Sequence, residues 1–318
     1  MQRDRIDFAA ASVSDLFRKQ LVPTVLGMVF TALFVITDGI FVGRGIGSDA
    51  LAAVNIVAPL FVLAAGVGLM FGMGGAVVAS VNLSRGKLRV ANINATQAVT
   101  VSAGIMLLVS LGAMLFPRFC ARMLGAPDDI LDLAAEYLFY FSIFLAFQTA
   151  LGVLGFFVRM DAPRTAMWAM SLAAVINIVL DYLFIFTFSW AAVATGIGQV
   201  AGVVFMLAYL QGRSPRIRLG RLKFSAKSLR LRARNSGYMV RLGSSAFLGE
   251  AAIAVMVLVG NYVFVRYLGT VGVAAFSVVC YFFPIIYMLF NGITQAAQPI
   301  ISFNYGCGAG GRVQQALR

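Results

Sequence analysis

The feature that most constrains this chain is a series of apolar stretches, each about 20 residues long or longer. A helix of that length rises about 1.5 Å per residue and can cross the roughly 30 Å hydrocarbon core of a bilayer. A soluble domain could not bury so much apolar surface, because 61% of the residues are hydrophobic and only 12% are charged. The sequence therefore predicts an all-α integral membrane protein. The eight predicted spans cover residues 20–42, 51–82, 94–116, 133–158, 165–188, 191–210, 239–265 and 271–302.

The residue types that are scarce exclude several kinds of chemistry. Three widely spaced cysteines and no histidine leave no disulfide framework and no metal cluster. Acid–base work must fall to carboxylates, because the commonest proton relay is missing. No phosphate-binding loop occurs, so ATP is not the energy source. We expect neither an enzyme nor a bound cofactor.

The basic residues predict how the chain is oriented. With the N-terminus in the cytoplasm, 21 of the 25 basic residues fall in cytoplasmic segments, among them Arg159 and Arg164 between the fourth and fifth spans. This asymmetry is the positive-inside pattern of plasma-membrane proteins. The opposite side keeps only Arg44, Arg118, Arg122 and Arg266.

The largest cluster of positive charge lies at residues 212–241, with ten basic residues. Such a segment can bind anionic lipid headgroups, or it can be a connector whose charge enforces topology. Nucleic-acid binding is not indicated, because no interleaved aromatic residues or known binding motif accompany the arginines.

An internal repeat relates the two ends of the chain at a constant shift of 222 residues. Arg44 aligns with Arg266, Gly47 with Gly269 and Phe61 with Phe283, and further matches pair Ser80 with Ser302, Asn82 with Asn304 and Gly86 with Gly308. The shift carries span 1 onto span 7 and span 2 onto span 8. A unit with an even number of spans restores orientation, so these are parallel repeats.

The repeat predicts one complete six-helix lobe followed by the first two helices of a second lobe. Residues 1–211 form the N-terminal lobe, residues 212–237 the basic connector and residues 238–318 the partial second lobe. We expect this chain to be either a fragment or a protein that lacks four spans. We also expect it to be a monomer.

Six motifs in order resemble the multidrug and toxic compound extrusion (MATE) transporters, and the likeness runs through essentially the whole chain. Pro23 in the first span precedes the first of them. The motifs are DGIFVGRGIGSDALAAVNIVAPL (38–60), GMGGAVVASVNLSRGK (72–87), RMDAPRTAM (159–167), NIVLDYLFIF (177–186), ATGIGQ (194–199) and QPIISFNYGCG (298–308). The resemblance implies twelve spans in two six-helix lobes and an apparent lack of the last four.

Nine of the twelve acidic residues lie at the ends of predicted spans or in connectors, and the other three, Asp38, Asp181 and Glu250, lie inside spans. Each charge would cost about 2.5–3.5 kcal/mol near the bilayer centre unless it faces a cavity, finds a partner or is neutralised. Burial favours the neutral form of a carboxyl group, and a bound cation favours the charged form. A carboxyl group that is poised between its neutral and its charged form can exchange a proton or a cation for a substrate. For Asp38 and Asp181 the alternative is a structural hydrogen bond between helices.

Asn177 and Asp181 lie one helical turn apart on one face of the fifth span. A carboxylate with an amide carbonyl is a hard oxygen pair suited to Na⁺ or to a protonated acid. The family resemblance implies a cation or proton site at the positions matching Asp38, Asn177, Asp181 and Thr195. Na⁺ would bind at the first three. Glu250 is either an acid of the central cavity in the second lobe or a glutamate reaching the membrane interface.

The function that these features predict is secondary active export of amphipathic or cationic compounds, coupled to H⁺ or Na⁺. One alternative is a lipid-linked glycan flippase of the same superfamily, which would favour cationic residues in the cavity; the sequence predicts none mid-span. A second is an intramembrane aspartic protease, but the expected GxGD stretch is missing. The third is a membrane fragment that transports nothing.

Overall fold

The computed structural model describes residues 8, 11–184, 188–220, 222 and 225–317, and all regular structure in these ranges is helical. Arg3, Arg5 and Arg318 of the predicted charge pattern lie outside the described residues. The helices are α1 Val13–Gly45, α2 Ser48–Ser84, α3 Leu88–Leu115, α4 Pro117–Met123, α5 Leu131–Ser142, α6 Leu145–Asp161, α7 Pro163–Phe184, α8 Phe188–Gly212, α9 Ala226–Gly306 and α10 Gly310–Leu317.

Within the described residues, each predicted span falls on one helix, part of a helix or, for the fourth span, a pair of helices, as backbone hydrogen bonding in an apolar solvent requires. Among the described residues, six helices are long and apolar enough to cross a membrane, or seven if the bent pair α5–α6 is one span. The fourth predicted span is that pair, broken by a 48° bend. The seventh and eighth spans lie within α9.

The first half of α9 runs antiparallel to α2. The Asn55 amide donates to Asn261 Oδ1 at 2.8 Å, and the Asn261 amide donates to the Asn55 carbonyl at 3.2 Å. Further along α2, Gly74 packs directly on the backbone of Met239. Because the residue numbers rise along α2 while they fall along α9, the two helices point in opposite directions.

The second half of α9 runs parallel to α2. Leu51 accepts a hydrogen bond from Ser277 at 3.5 Å, and Ser84 lies against Gly306 at the other end of α2. The chain therefore reverses direction within α9, and Gly269 is the residue with non-helical angles, φ 63° and ψ −156°. We call the parts before and after Gly269 the first and second arms of α9.

Positive φ angles recur at the shift of 222 residues. Gly47 (φ 130°) corresponds to Gly269 (φ 63°), and Gly86 (φ 72°) corresponds to Gly308 (φ 75°). Only glycine adopts such angles without a steric cost. The backbone therefore repeats together with the sequence. A glycine with positive φ precedes both α2 and the second arm of α9, and another follows each of them.

The segment between α8 and α9 is docked on the helical body. Ser214 is fully buried and its hydroxyl donates to the Asp161 carboxylate, while the Arg218 backbone amide donates to Asn92 Oδ1 at 3.1 Å. Because α9 begins at Ala226, the last part of residues 212–237 is already helical. The segment therefore packs against the N-terminal part of α3 and the end of α6.

Candidate functional site

A cavity of about 380 Å³ lies between α1, α2, α6, α7, α8 and both arms of α9. Its volume falls in the range of small-molecule sites. Most of its wall is apolar, with aromatic side chains such as Phe34, Phe61 and Phe156. Among the described residues, the polar and charged side chains that line it are Thr31, Asp38, Asn55, Tyr137, Gln148, Arg159, Asn177, Thr195, Gln199, Glu250, Tyr287, Asn291 and Gln295.

The α7–α8 wall of the cavity brings together three of the residues that the sequence singles out. Asn177 Nδ2 donates to Thr195 Oγ1 at 3.1 Å, and Thr195 Oγ1 donates to the Ala191 carbonyl at 3.3 Å. Asp181 follows one turn after Asn177 on the same face of α7. All three side chains are buried. Thr195 of α8 therefore lies at the level of Asn177 of α7.

The fourth predicted residue, Asp38, reaches this group from α1. Asp38 lines the cavity, as Asn177 and Thr195 do, and its side chain is partly exposed. The two helices pack nearby through Phe41 and Tyr182, whose ring centroids are 6.3 Å apart. Asp181 itself is 3% exposed and, among the described residues, lies behind the cavity wall rather than in it.

Unpaired oxygen atoms define the chemistry of this group. Both carboxylate oxygens of Asp181 and Oδ1 of Asn177 are buried without a hydrogen-bond partner among the described residues. Buried polar atoms are almost always satisfied, so three unpaired oxygens together require a donor or a cation. A proton on Asp181 would supply a donor, and carboxylate and amide oxygens are also ligands for a hard cation such as Na⁺.

Glu250 lies on the first arm of α9 and lines the same cavity. Its Cβ lies 3.1 Å from where a Cβ on Gly66 of α2 would be, so the absent side chain at residue 66 admits the glutamate. The Tyr287 hydroxyl of the second arm lies 3.2 Å from where a Cβ on the neighbouring Gly249 would be. Glu250 therefore borders the cavity between α2 and the second arm of α9.

Arg159 is the cavity residue that sequence reasoning missed. The sequence places this residue just after the fourth predicted span, whereas α6 continues to Asp161 and Arg159 is 3% exposed in its last turn. The guanidinium donates to Gln295 Oε1 of the second arm, and Gln20 of α1 donates to the Arg159 carbonyl. A cation therefore does line the cavity. The only sequence signal was its place one residue beyond an apolar stretch.

The model of the MatE family matches residues 23–183 and 246–318, which is more than half of the chain. The protein belongs to this family. Because MatE is a family of transporters, the match is consistent with the expectation that the chain is not an enzyme.

Curated relatives extend beyond this chain. It is 23% identical over 288 residues to the multidrug export protein MepA of Staphylococcus aureus, covering 89% of this chain and 62% of that protein. The protein of the same name from Staphylococcus saprophyticus is 25% identical over 291 residues, covering 89% and 63%. The chain thus spans somewhat less than two thirds of the length of these relatives.

Solved structures share the fold. The MATE multidrug transporter DinF-BH aligns with a TM-score of 0.85 at 24% identity, covering 99% of this chain and 70% of that one. A MOP superfamily transporter from Pyrococcus furiosus aligns with a TM-score of 0.82 at 21% identity, covering 97% and 68%. These similarities identify an all-helical membrane transporter fold.

Proposed function

We propose that the protein is a secondary active multidrug exporter that couples outward movement of amphipathic, cationic compounds to inward movement of H⁺ or Na⁺. The observation that carries the proposal is the pair of acids Asp38 and Asp181 on the packed helices α1 and α7. Asp38 lines the apolar cavity, and Asp181 is buried with both carboxylate oxygens unpaired among the described residues. Membership of the MatE family and the multidrug export relatives support it. The cavity would hold the small-molecule substrate.

The coupling would work by competition between occupants. With a proton or Na⁺ at Asp181, Asn177 and Asp38, the local negative charge is neutralised and a cationic substrate binds weakly. When the ion leaves, the free carboxylates favour the cationic substrate. Because each occupant favours a different conformation, the exchange drives alternating access. Thr195 orients Asn177 through its hydrogen bond, and Glu250 attracts the cationic part of the substrate from the opposite wall.

Dye efflux from a drug-sensitive bacterial strain tests the proposal. Cells that express the chain should lose a preloaded cationic dye faster than cells with an empty vector, and an ionophore that collapses both the H⁺ and Na⁺ gradients should remove the difference. Efflux no faster than the vector control, with the protein present in the membrane, would support the alternative of a non-transporting membrane fragment.

Arg159 gives the glycan flippase more support than the sequence did, because a cation in the cavity can bind a phosphate. Asp38 and Glu250 line the same cavity, however, and would repel a pyrophosphate that carries two or more negative charges. One arginine against two acids favours export of cations. Displacement of a bound cationic dye by a short-chain prenyl pyrophosphate would favour the flippase.

We further propose that both termini face the cytoplasm, with α1–α8 forming the first lobe and the two arms of α9 opening the second. In this orientation the exposed side chains of Arg213, Arg218, Arg230 and Arg234 would face the anionic headgroups of the inner leaflet.

Thiol labelling in intact cells tests the orientation. The Asp128 side chain is 88% exposed in the α4–α5 connection, and Cys307 is exposed at the end of α9. In a background without Cys120 and Cys280, a membrane-impermeant maleimide should label Asp128→Cys in intact cells. Native Cys307 should react only after the cells are made permeable. The reverse pattern would contradict the proposed orientation.

A further inference from the structure

Arg159 is a buried cation at one end of the cavity, held by contacts from three helices. Its side chain donates to Gln295 on α9, approaches Met170 Sδ on α7 at 3.7 Å and lies 5.2 Å from the centroid of the Phe156 ring. These contacts fix the position of the guanidinium. They use only part of its five N–H donors, and none of them supplies a negative charge.

The charge of Arg159 has no counter-charge among the described residues. The two ion pairs found there, Arg118–Asp132 and Arg122–Asp128, are exposed and lie elsewhere. Asp161 is only two residues away, but its carboxylate accepts from Ser214 and Tyr209 instead. A buried charge is costly unless it is paired. Because Arg159 also lines the cavity, an anionic group of a ligand can reach it.

The separation between Arg159 and Asp38 suits a ligand that carries a negative charge at one end and a positive charge at the other. Met170 Sδ contacts Arg159 and lies 3.3 Å from where a Cβ on Gly27 would be, so the guanidinium lies near the level of Gly27 on α1. Asp38 follows 11 residues later, about 16 Å further along the helix axis. Arg159 and Asp38 therefore mark two separated regions of one cavity, of opposite charge.

We propose that Arg159 binds the carboxylate of zwitterionic amphipathic ligands whose cationic end faces Asp38 and Glu250. A guanidinium forms two parallel hydrogen bonds to a carboxylate, and charge-assisted bonds are among the strongest in proteins. The apolar body of the ligand would lie against the aromatic wall between the two ends. This inference rests on the proposed function, because it places the ligand in the export cavity.

Rhodamine B and its ethyl ester form a matched pair of probes, since the ester keeps the cationic ring system and replaces the carboxylate by a neutral ethyl ester. We expect the purified chain in lipid nanodiscs to bind rhodamine B at least about tenfold more tightly than the ester, measured by fluorescence anisotropy. In Arg159→Gln the ratio of the ester Kd to the rhodamine B Kd should fall to about one, and the Kd of the ester should change less than about threefold. Arg44→Gln, an exposed arginine at the end of α1, should keep the wild-type ratio.

Arg159→Lys provides a second measurement, and it decides if the glutamine variant does not fold. Lysine keeps the charge but cannot form the bidentate pair, so the ratio should fall without reaching one. An unchanged ratio in either folded variant would contradict the inference. If the wild type binds the ester but shows no preference for rhodamine B, the inference fails and the proposed function stands. If the wild type binds neither dye, both fail.

Discussion

Replacing Asp181 by asparagine should reduce ion-coupled dye efflux at least about tenfold, to the level of the empty vector. Asparagine has nearly the same shape, so the packing of α7 is kept, but it can neither lose a proton nor supply a charged ligand to a cation. The substitution also removes one of the two carboxyl groups of the acid pair. Efflux of a cationic dye from preloaded cells, normalised to the amount of protein in the membrane, measures the effect.

The control for this variant is Asp49→Asn, which changes an exposed aspartate in the first turn of α2 outside the cavity. It should retain wild-type efflux. Asp38→Asn should lose efflux as Asp181→Asn does, and the double variant should be no worse than either, because groups that act as a unit are not additive. Wild-type efflux in Asp181→Asn would contradict the coupling role of this residue.

Replacing Gly74 or Gly243 by alanine should strongly destabilise the protein. A Cβ on Gly74 would lie 2.0 Å from the carbonyl oxygen of Met239, and a Cβ on Gly243 would lie 2.0 Å from the carbonyl oxygen of Met70. The two glycines thus allow α2 and the first arm of α9 to touch backbone to backbone, as small residues do in membrane helix pairs. In each variant the added methyl group would collide with backbone atoms of the other helix, which cannot turn aside as a side chain can. The two helices must therefore separate.

Overpacking of this kind costs about 1–3 kcal/mol, or more where the backbone cannot move. We expect a lower thermal unfolding midpoint of the purified protein in detergent, followed by fluorescence of a thiol-reactive dye. Gly104→Ala on α3 is the matched control, because no atom lies within 4 Å of its Cβ position. It should be neutral or slightly stabilising. Equal midpoints for Gly74→Ala, Gly243→Ala and Gly104→Ala would contradict the close contact between α2 and α9.

The helical spans could be predicted from sequence because one physical requirement dominates them. An apolar stretch of sufficient length must be helical in hydrocarbon, whatever its tertiary contacts. The bend between Ser142 and Leu145 could not be predicted, since neither proline nor glycine marks it and the stretch is uniformly apolar. Gly269 was visible as a repeated glycine, but the reversal that it permits depends on contacts between α9 and α2.

Part of the site could be predicted because helical spacing fixes local geometry. Asn177 and Asp181 share a face for that reason, whereas the reach of Asp38 and Thr195 toward them depends on helix packing. Arg159 could not be recognised from its own neighbourhood. Its burial requires Gln20 and Gln295, which are more than 130 residues away in the chain on either side. A charge at the end of an apolar stretch therefore indicated a connector until the tertiary contacts were known.

The central claim is that a cationic substrate and a coupling ion compete for Asp38 and Asp181. The most direct test is the equilibrium binding of rhodamine B ethyl ester to the purified chain in nanodiscs, measured across pH and Na⁺ concentration. We predict that the Kd rises as pH falls or as Na⁺ increases, because either cation neutralises the acids, and that this dependence is lost in Asp181→Asn. A wild-type Kd that is independent of both pH and Na⁺, or a dependence that persists unchanged in Asp181→Asn, would contradict the claim.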